Sequence, residues 1–235
     1  MKKLSILIPV YNEINNIEKC LEKVKKNKIE KFEYEIIVSD NNSTDGTRDL
    51  IKNLQNQNDN KNIIFLFRNQ NEGKGANIIN AIQNCSGDIA IIQDSDLEYD
   101  PIEYESLIKP IIDGNADVVY GTRFSRAKEF HVYSLIHLYA NSIITFLTNI
   151  FYNKSFSDVL TGYKVFKIDI LRQLNLKSKG YDIETEITSK LCKIKNIRIY
   201  EVPISVYSRT YKEGKKIHWW HLFILILSLL KHRIT

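Results

Sequence analysis

At 235 residues the chain is long enough for one α/β domain with a full core and short for two. Its apolar and charged shares, 43% and 26%, exclude extended disorder, apart from a polar loop at 53–62. The net charge of +5 is carried by residues 204–235, where Arg209, Lys212, Lys215, Lys216, Lys231 and Arg233 stand against Glu213 alone. Such a patch meets anionic lipid or a phosphorylated substrate; nothing else resembles a nucleic-acid module, so no nucleic-acid partner is expected.

Met1-Lys2-Lys3 passes straight into the first apolar run, which reaches Asn12 and Glu13 too soon for a secretory leader. A cytoplasmic location is the expectation. Cys20, Cys85 and Cys192 are odd in number, far apart and without metal-ligand spacing, as reduced core residues would be.

Short β-branched runs at 4–10, 34–39, 63–67, 89–93 and 118–121 predict strands of a buried parallel sheet. Helical spacing recurs between them, at Ile14, Ile17, Leu21 and Val24 and again at Ile78, Ile79 and Ile82. Asp45 is placed to cap the second helix. Asp100-Pro101-Ile102-Glu103 reads as another helix start, with Asp as cap and Pro in the first turn. The alternation predicts a Rossmann-like α/β fold: a mostly parallel central sheet flanked by helices.

In such sheets ligands bind beyond the C-terminal strand ends, near the switch in strand order. Three polar loops fall there: Tyr11-Asn12-Glu13, Asp40-Asn41-Asn42 and Asp94-Ser95-Asp96-Leu97-Glu98. Two carboxylates one residue apart are a ready site for a hard divalent cation, Mg²⁺ or Mn²⁺, which shares its remaining positions with phosphate. Gly73-Lys74-Gly75 adds a loop whose glycines would let backbone approach a ligand, and whose lysine would face phosphates or help close the pocket.

The chain resembles the family 2 glycosyltransferases with a GT-A fold, and within them the dolichyl- and polyprenyl-phosphate mannosyl- and glucosyltransferases. The resemblance rests on Ile8 to Glu13, Val38 to Thr47, Asn71 to Gly75, Gln93 to Asp100, Gly121-Thr122-Arg123-Phe124, Ser157 to Tyr163 and Glu201 to Ile204, in that order. It implies that Pro9, Tyr11, Glu13 and Asp40 surround the nucleoside of a nucleotide-sugar donor. It also implies that Asp96 binds the metal, that Asp94 coordinates or holds nearby groups, and that Glu98 serves as a third ligand. Ser95 replaces a small apolar residue of the family pattern.

Arg123, Arg209, Lys74 and Lys215 are the cations expected around the reacting phosphates, with Arg126 and Lys212 as further candidates. Asp158 is the candidate general base for a hydroxyl acceptor; a lipid phosphate needs none, and Asp158 then serves position. The expected catalytic set is therefore Asp96, Asp158 and Arg123.

Residues 130–153 contain no Lys, Arg, Asp or Glu, yet they alternate at helical spacing. Val132, Leu135, Ile136, Tyr139, Ile143, Phe146, Leu147, Ile150 and Phe151 predict an apolar stripe, with Ser134, His137, Asn141, Thr145, Thr148 and Asn149 opposite. An amphipathic helix over 130–152 would lie in a bilayer interface or pack on the domain. The tail from 211 to 235 adds Trp219-Trp220, an apolar run too short to span a membrane and flanking cations, which read as an amphipathic C-terminal helix at headgroup level.

The expected division is a GT-A domain over 1–210 and this basic tail. The expected activity is inverting transfer of a hexose from a GDP-mannose or UDP-glucose type donor to a polyprenyl phosphate, peripheral at the cytoplasmic face of a membrane, with a membrane-anchoring partner protein as one route to it. Two alternatives stand beside it: transfer to a glycan or other hydroxyl acceptor, and a non-catalytic nucleotide-sugar binding subunit.

Overall fold

The computed structural model describes residues 2–60, 62–124, 135–207, 209 and 221–234. Strands β1 (Lys2–Val10), β2 (Phe32–Asp40), β3 (Ile63–Phe67) and β4 (Ile89–Ile92) alternate with helices α1 (Ile17–Lys26), α2 (Thr47–Gln55) and α3 (Lys74–Gln83). After α4 (Tyr104–Ile112) come β5 (Val118–Thr122), α5 (Leu135–Tyr152), β6 (Lys164–Lys167), α6 (Ile168–Gln173), α7 (Ile183–Lys193), β7 (Ile199–Pro203) and α8 (His221–Ile234). All five expected strands are present.

Sequence spacing explains the local choices. Ile17, Leu21 and Val24 bury one stripe of α1, as their helical period requires. Asp45 accepts the Thr47 N–H at 3.0 Å and thereby fastens the first turn of α2. Asp100 accepts the Ile102 N–H at 3.1 Å over a short turn, Pro101–Glu103, that leads into α4.

The strands form one sheet in the order β3-β2-β1-β4-β6-β5-β7. β6 pairs antiparallel with both β4 and β5, while the other pairings are parallel. Neither β6 nor β7 is among the runs recognised from sequence; both are short, β6 bounded by lysines and β7 interrupted by Glu201. Alternate residues serve two cores. Leu4, Ile6 and Ile8 face α1, α2 and α4, whereas Leu7, Ile37, Ala90 and Ile92 face α3, α6, α7 and part of α8.

Residues 130–134 and the 210/211 division lie outside the described residues. Beyond that division α8 packs against α7 and α5, burying Leu225 and Leu229, and Thr185 of α7 donates to Ser228 at 3.0 Å. From residue 138 onward, α5 turns the opposite way from a core-packed amphipathic helix. Tyr139, Ile143, Phe146 and Ile150 are exposed, and Asn141, Thr145 and Thr148 are buried.

Hydrogen bonding is the physical reason. Asn149 exchanges two 2.8 Å hydrogen bonds with the backbone of Phe156, the Val159 N–H donates to Thr145 at 3.3 Å, and Asn141 donates to Asp158 at 3.2 Å. The polar face of α5 clamps the 156–159 loop and so fixes Asp158.

Candidate active site

The strand order reverses between β1 and β4, since β2 and β3 lie on one side and β6, β5 and β7 on the other. Beyond the C-terminal ends of those strands opens a cavity of about 480 Å³. Pro9, Tyr11, Glu13, Lys74, Asp94, Ser95, Asp96, Glu98, Arg123 and Arg209 all line it. Segments spread over two hundred positions of sequence therefore meet at one place.

The end of β4 is held from behind. Gln93 is fully buried and accepts the Tyr104 and Tyr163 hydroxyls at 2.7 and 2.6 Å, while its amide donates to the carbonyl of Asp94 at 2.9 Å. Ser95 donates to the carbonyl of Pro9 at 3.1 Å, stitching β4 to β1. Its hydroxyl is thus occupied by the scaffold. Leu97 takes φ 65°, a left-handed conformation uncommon for a residue with a side chain, and bends the loop so that Glu98 N–H donates to Asp96 at 3.1 Å. Gly162 leaves space for Asp94, because a Cβ there would collide with the Asp94 carboxylate.

Each carboxylate meets a cation from another segment. Lys74 Nζ lies 2.9 Å from Asp94. Arg209 lies 2.8 Å from Asp96 and 3.1 Å from Glu13, and its N–H donates to Glu98 at 3.0 Å. Arg209 thus serves Asp96, Glu13 and Glu98 together. Burial, followed by the charges of Asp94 and Glu98, pushes the Asp96 carboxyl up to about 7 even with Arg209 beside it.

The donor chemistry of Asp94 and Asp96, crowded hard oxygens on a cavity wall, fits Mg²⁺ or Mn²⁺. Among the described residues, no three His, Cys, Asp or Glu side chains converge closely enough to hold an ion by themselves. The expected third ligand, Glu98, instead faces Arg209.

Arg123 is gripped by Asp158 through two nitrogens, at 2.6 and 2.7 Å, and lines the cavity. Asp158 is fully buried, and Glu201 accepts its N–H at 3.1 Å and that of Ser157 at 2.9 Å. Asp40, expected to face base or ribose, is also fully buried. It accepts the Ser43 N–H at 3.2 Å, stands 3.7 Å from Arg48 and leaves Asn41 to line the cavity. Lys215, Lys212 and Arg126 lie outside the described residues.

Of the glycines flanking Lys74, Gly73 lines the cavity and Gly75 does not, and both are also packed against the loop ahead of α7. A Cβ at Gly73 or Gly75 would collide with the carbonyl oxygens of Lys179 or Ser178, and Ala76 N–H donates to Lys179 O at 3.0 Å. The loop ahead of α7 occupies that space. Sequence reasoning also missed Asn71, Tyr99, Asn141, Tyr181 and Glu184 on the cavity wall. Glu184 stands, with Glu186, among eight buried residues of α7, Ile183 to Leu191 save Lys190, a burial that the structure alone reveals.

Residues 5–174 match the model of glycosyl transferase family 2. The chain is 26% identical over 215 residues to a dolichol-phosphate mannosyltransferase of Pyrococcus furiosus, covering 91% of this chain and 59% of that enzyme's length. It is 27% identical over 239 residues to an undecaprenyl-phosphate 4-deoxy-4-formamido-L-arabinose transferase of Proteus mirabilis, covering 100% of this chain and 68% of that one. The fold is similar to that of glucosyl-3-phosphoglycerate synthase from Mycobacterium tuberculosis, crystallised with Mn²⁺, uridine diphosphate and phosphoglyceric acid. The TM-score is 0.72 at 18% identity, over 99% of this chain and 78% of that one.

Proposed function

The chain belongs to glycosyl transferase family 2 and has its GT-A type α/β fold, and on that premise we propose that it transfers a hexose, with inversion, from a nucleotide diphosphate sugar of the GDP-mannose or UDP-glucose class to a polyprenyl phosphate. One observation carries the reading: a single cavity is lined both by the Asp94 and Asp96 carboxylates and by the Arg123 cation. The first pair suits the leaving group's side of the reaction, and the second suits an anionic acceptor.

Asp94 and Asp96 would hold Mg²⁺ or Mn²⁺, which when bound supplies charge neutralisation at the departing diphosphate. Lys74 and Arg209 stand beside these carboxylates as the chain's own cations for the donor phosphates, and Lys215, outside the described residues, is proposed as a further one. Arg123, fixed in plane by Asp158, is the contact for the acceptor phosphate. That phosphate is mostly ionised at neutral pH, with a second pKa of about 6, and its oxygen attacks the anomeric carbon as the bond to the diphosphate breaks. The electron pair leaves with the nucleoside diphosphate, and no proton need be removed. Asp158, buried with both oxygens engaged, is then a positioning residue for Arg123 and not a base.

The surface supports a lipid acceptor. Tyr139, Ile143, Phe146 and Ile150 of α5 and Phe223, Ile224, Leu227 and Leu230 of α8 are exposed on two helices that touch each other, and exposed Lys231 and Arg233 close α8. Among the described residues no helix is long and apolar enough to cross a membrane. The chain is proposed to lie on the cytoplasmic face of the bilayer through these two helices. Co-sedimentation with vesicles containing anionic lipid tests this: Phe146→Asp should release the chain at an unchanged melting midpoint, and undiminished binding by that variant would refute the assignment.

The activity itself is tested by incubating the chain with labelled GDP-mannose or UDP-glucose, Mn²⁺ and a short polyprenyl phosphate. Label should enter the organic phase. Label appearing only on a soluble hydroxyl acceptor would replace the lipid phosphate with the glycan-type acceptor.

A further inference from the structure

Lys164 is the first residue of β6, a strand enclosed on both sides within the sheet, and it is fully buried. Its ammonium meets Glu184 at 2.5 Å, donates to the carbonyl of Thr161 and lies 4.8 Å over the Tyr120 ring. The second oxygen of Glu184 stands 3.3 Å from Lys74, which in turn stands 2.9 Å from Asp94. Four charges thus alternate in sign from the middle of the sheet to the cavity. Lys74, Glu184 and Asp94 line that cavity, and Lys164 is not among the residues that do.

Stability alone is a poor account of this row. Withdrawing an ammonium and a carboxylate from water costs several kcal/mol for each ion, and an apolar pair of similar volume generally serves a core as well or better. What the row provides is direction. The backbones of α3 and of the loop ahead of α7 are already joined, through Gly75 N–H to Gly180 O at 3.2 Å and Ala76 N–H to Lys179 O at 3.0 Å. The long side chain of Lys74 is the adjustable part. Glu184 holds it on one flank, and Lys164 holds Glu184.

We infer that Lys164 and Glu184 are positioning residues, a buried ion pair that aims the Lys74 ammonium at Asp94 and at the donor diphosphate beside it. The inference rests on the transferase reading above and deepens it. Loss of the pair leaves the fold and the nucleoside-binding loops in place and frees Lys74 to turn away from the diphosphate.

The test measures binding of nucleoside diphosphate and nucleoside monophosphate, each with Mn²⁺, by titration calorimetry on the full chain. Glu184→Gln and the paired apolar replacement Lys164→Met with Glu184→Met should weaken the diphosphate about tenfold, the size of one charge-assisted contact, and the monophosphate less than about twofold. The paired variant guards against misfolding, because no charge is left buried alone. If it melts like wild type and binds diphosphate as wild type does, the pair is structural and the inference is overturned. Equal weakening of both nucleotides overturns it too. If wild type binds neither GDP nor UDP, the transferase reading fails and the inference falls with it.

Discussion

Glu35 and Asp96 are two carboxylates shielded from water at opposite ends of the same sheet, and their surroundings treat them in opposite ways. Around Glu35, burial is outweighed by Lys3 at 2.8 Å, the hydroxyls of Ser5 and Ser86 at 2.6 Å and the Ser86 N–H at 2.7 Å, and its carboxyl is drawn down to about 2. Asp117, also at the N-terminal ends of the parallel strands, is held well below the usual carboxylate range, first by Arg198 and then by Lys167, each at 2.7 Å. Asp96, at the other end, is pushed up to about 7 by burial and by Asp94 and Glu98.

Equal chemistry therefore has two uses. Where donors are sufficient, the charges close on one another and tie β1, β2, β4, β5, β6 and β7 together. At the other end Asp94, Asp96 and Glu98 crowd together beside a cavity of about 480 Å³, a crowding that suits the cation proposed above.

Mutations at the two ends should separate these uses. The largest effect is expected from Asp96→Ala, a fall in transfer of about 10³-fold or more with a melting midpoint equal to or above wild type, since a crowded charge is removed. Stability and activity falling together would erase the contrast. Arg123→Ala should follow, lowering transfer roughly 10²-fold, chiefly through the acceptor's KM, as loss of one phosphate contact would. If Asp158 were a base, Asp158→Asn would abolish the acid limb of the pH profile; as the holder of Arg123 it should instead mimic Arg123→Ala in KM.

Glu35→Gln should be the mildest in activity, leaving transfer unchanged and lowering the melting midpoint by a few degrees. Its pH signature has a definite sign. A carboxyl whose folded pKa is depressed contributes stability above its unfolded value of 4.5 and loses it as pH falls through about 2. Acid melts of wild type should therefore lose stability between about pH 4.5 and 2, and Glu35→Gln should lose less there.

The strands and the three polar loops were legible because a buried parallel strand must be apolar along its length and must end in turn chemistry. Asp94, Asp96 and Glu13 lie in those loops and Arg123 in a segment that carries the family resemblance, and the structure puts all four in one cavity. What resisted reading is what depends on distant partners. β6 begins and ends with lysine, and nothing local reveals that Lys164 finds Glu184 on α7. The polar face of α5 points inward because Asn141, Thr145 and Asn149 meet the 156–159 loop, a partner no helical period announces. Gly73 and Gly75 also seat residues 178–180, a partner the sequence does not announce, while Gly73 keeps its place on the cavity wall.

Release of nucleoside diphosphate measures the central claim most directly, with GDP-mannose and UDP-glucose each tried with and without polyprenyl phosphate and Mn²⁺, and Asp96→Ala as the blank. The account predicts release from one of the donors that requires both the metal and the lipid phosphate and disappears in the variant. Release no greater than that of Asp96→Ala, in every combination of donor and acceptor with metal present, would contradict it.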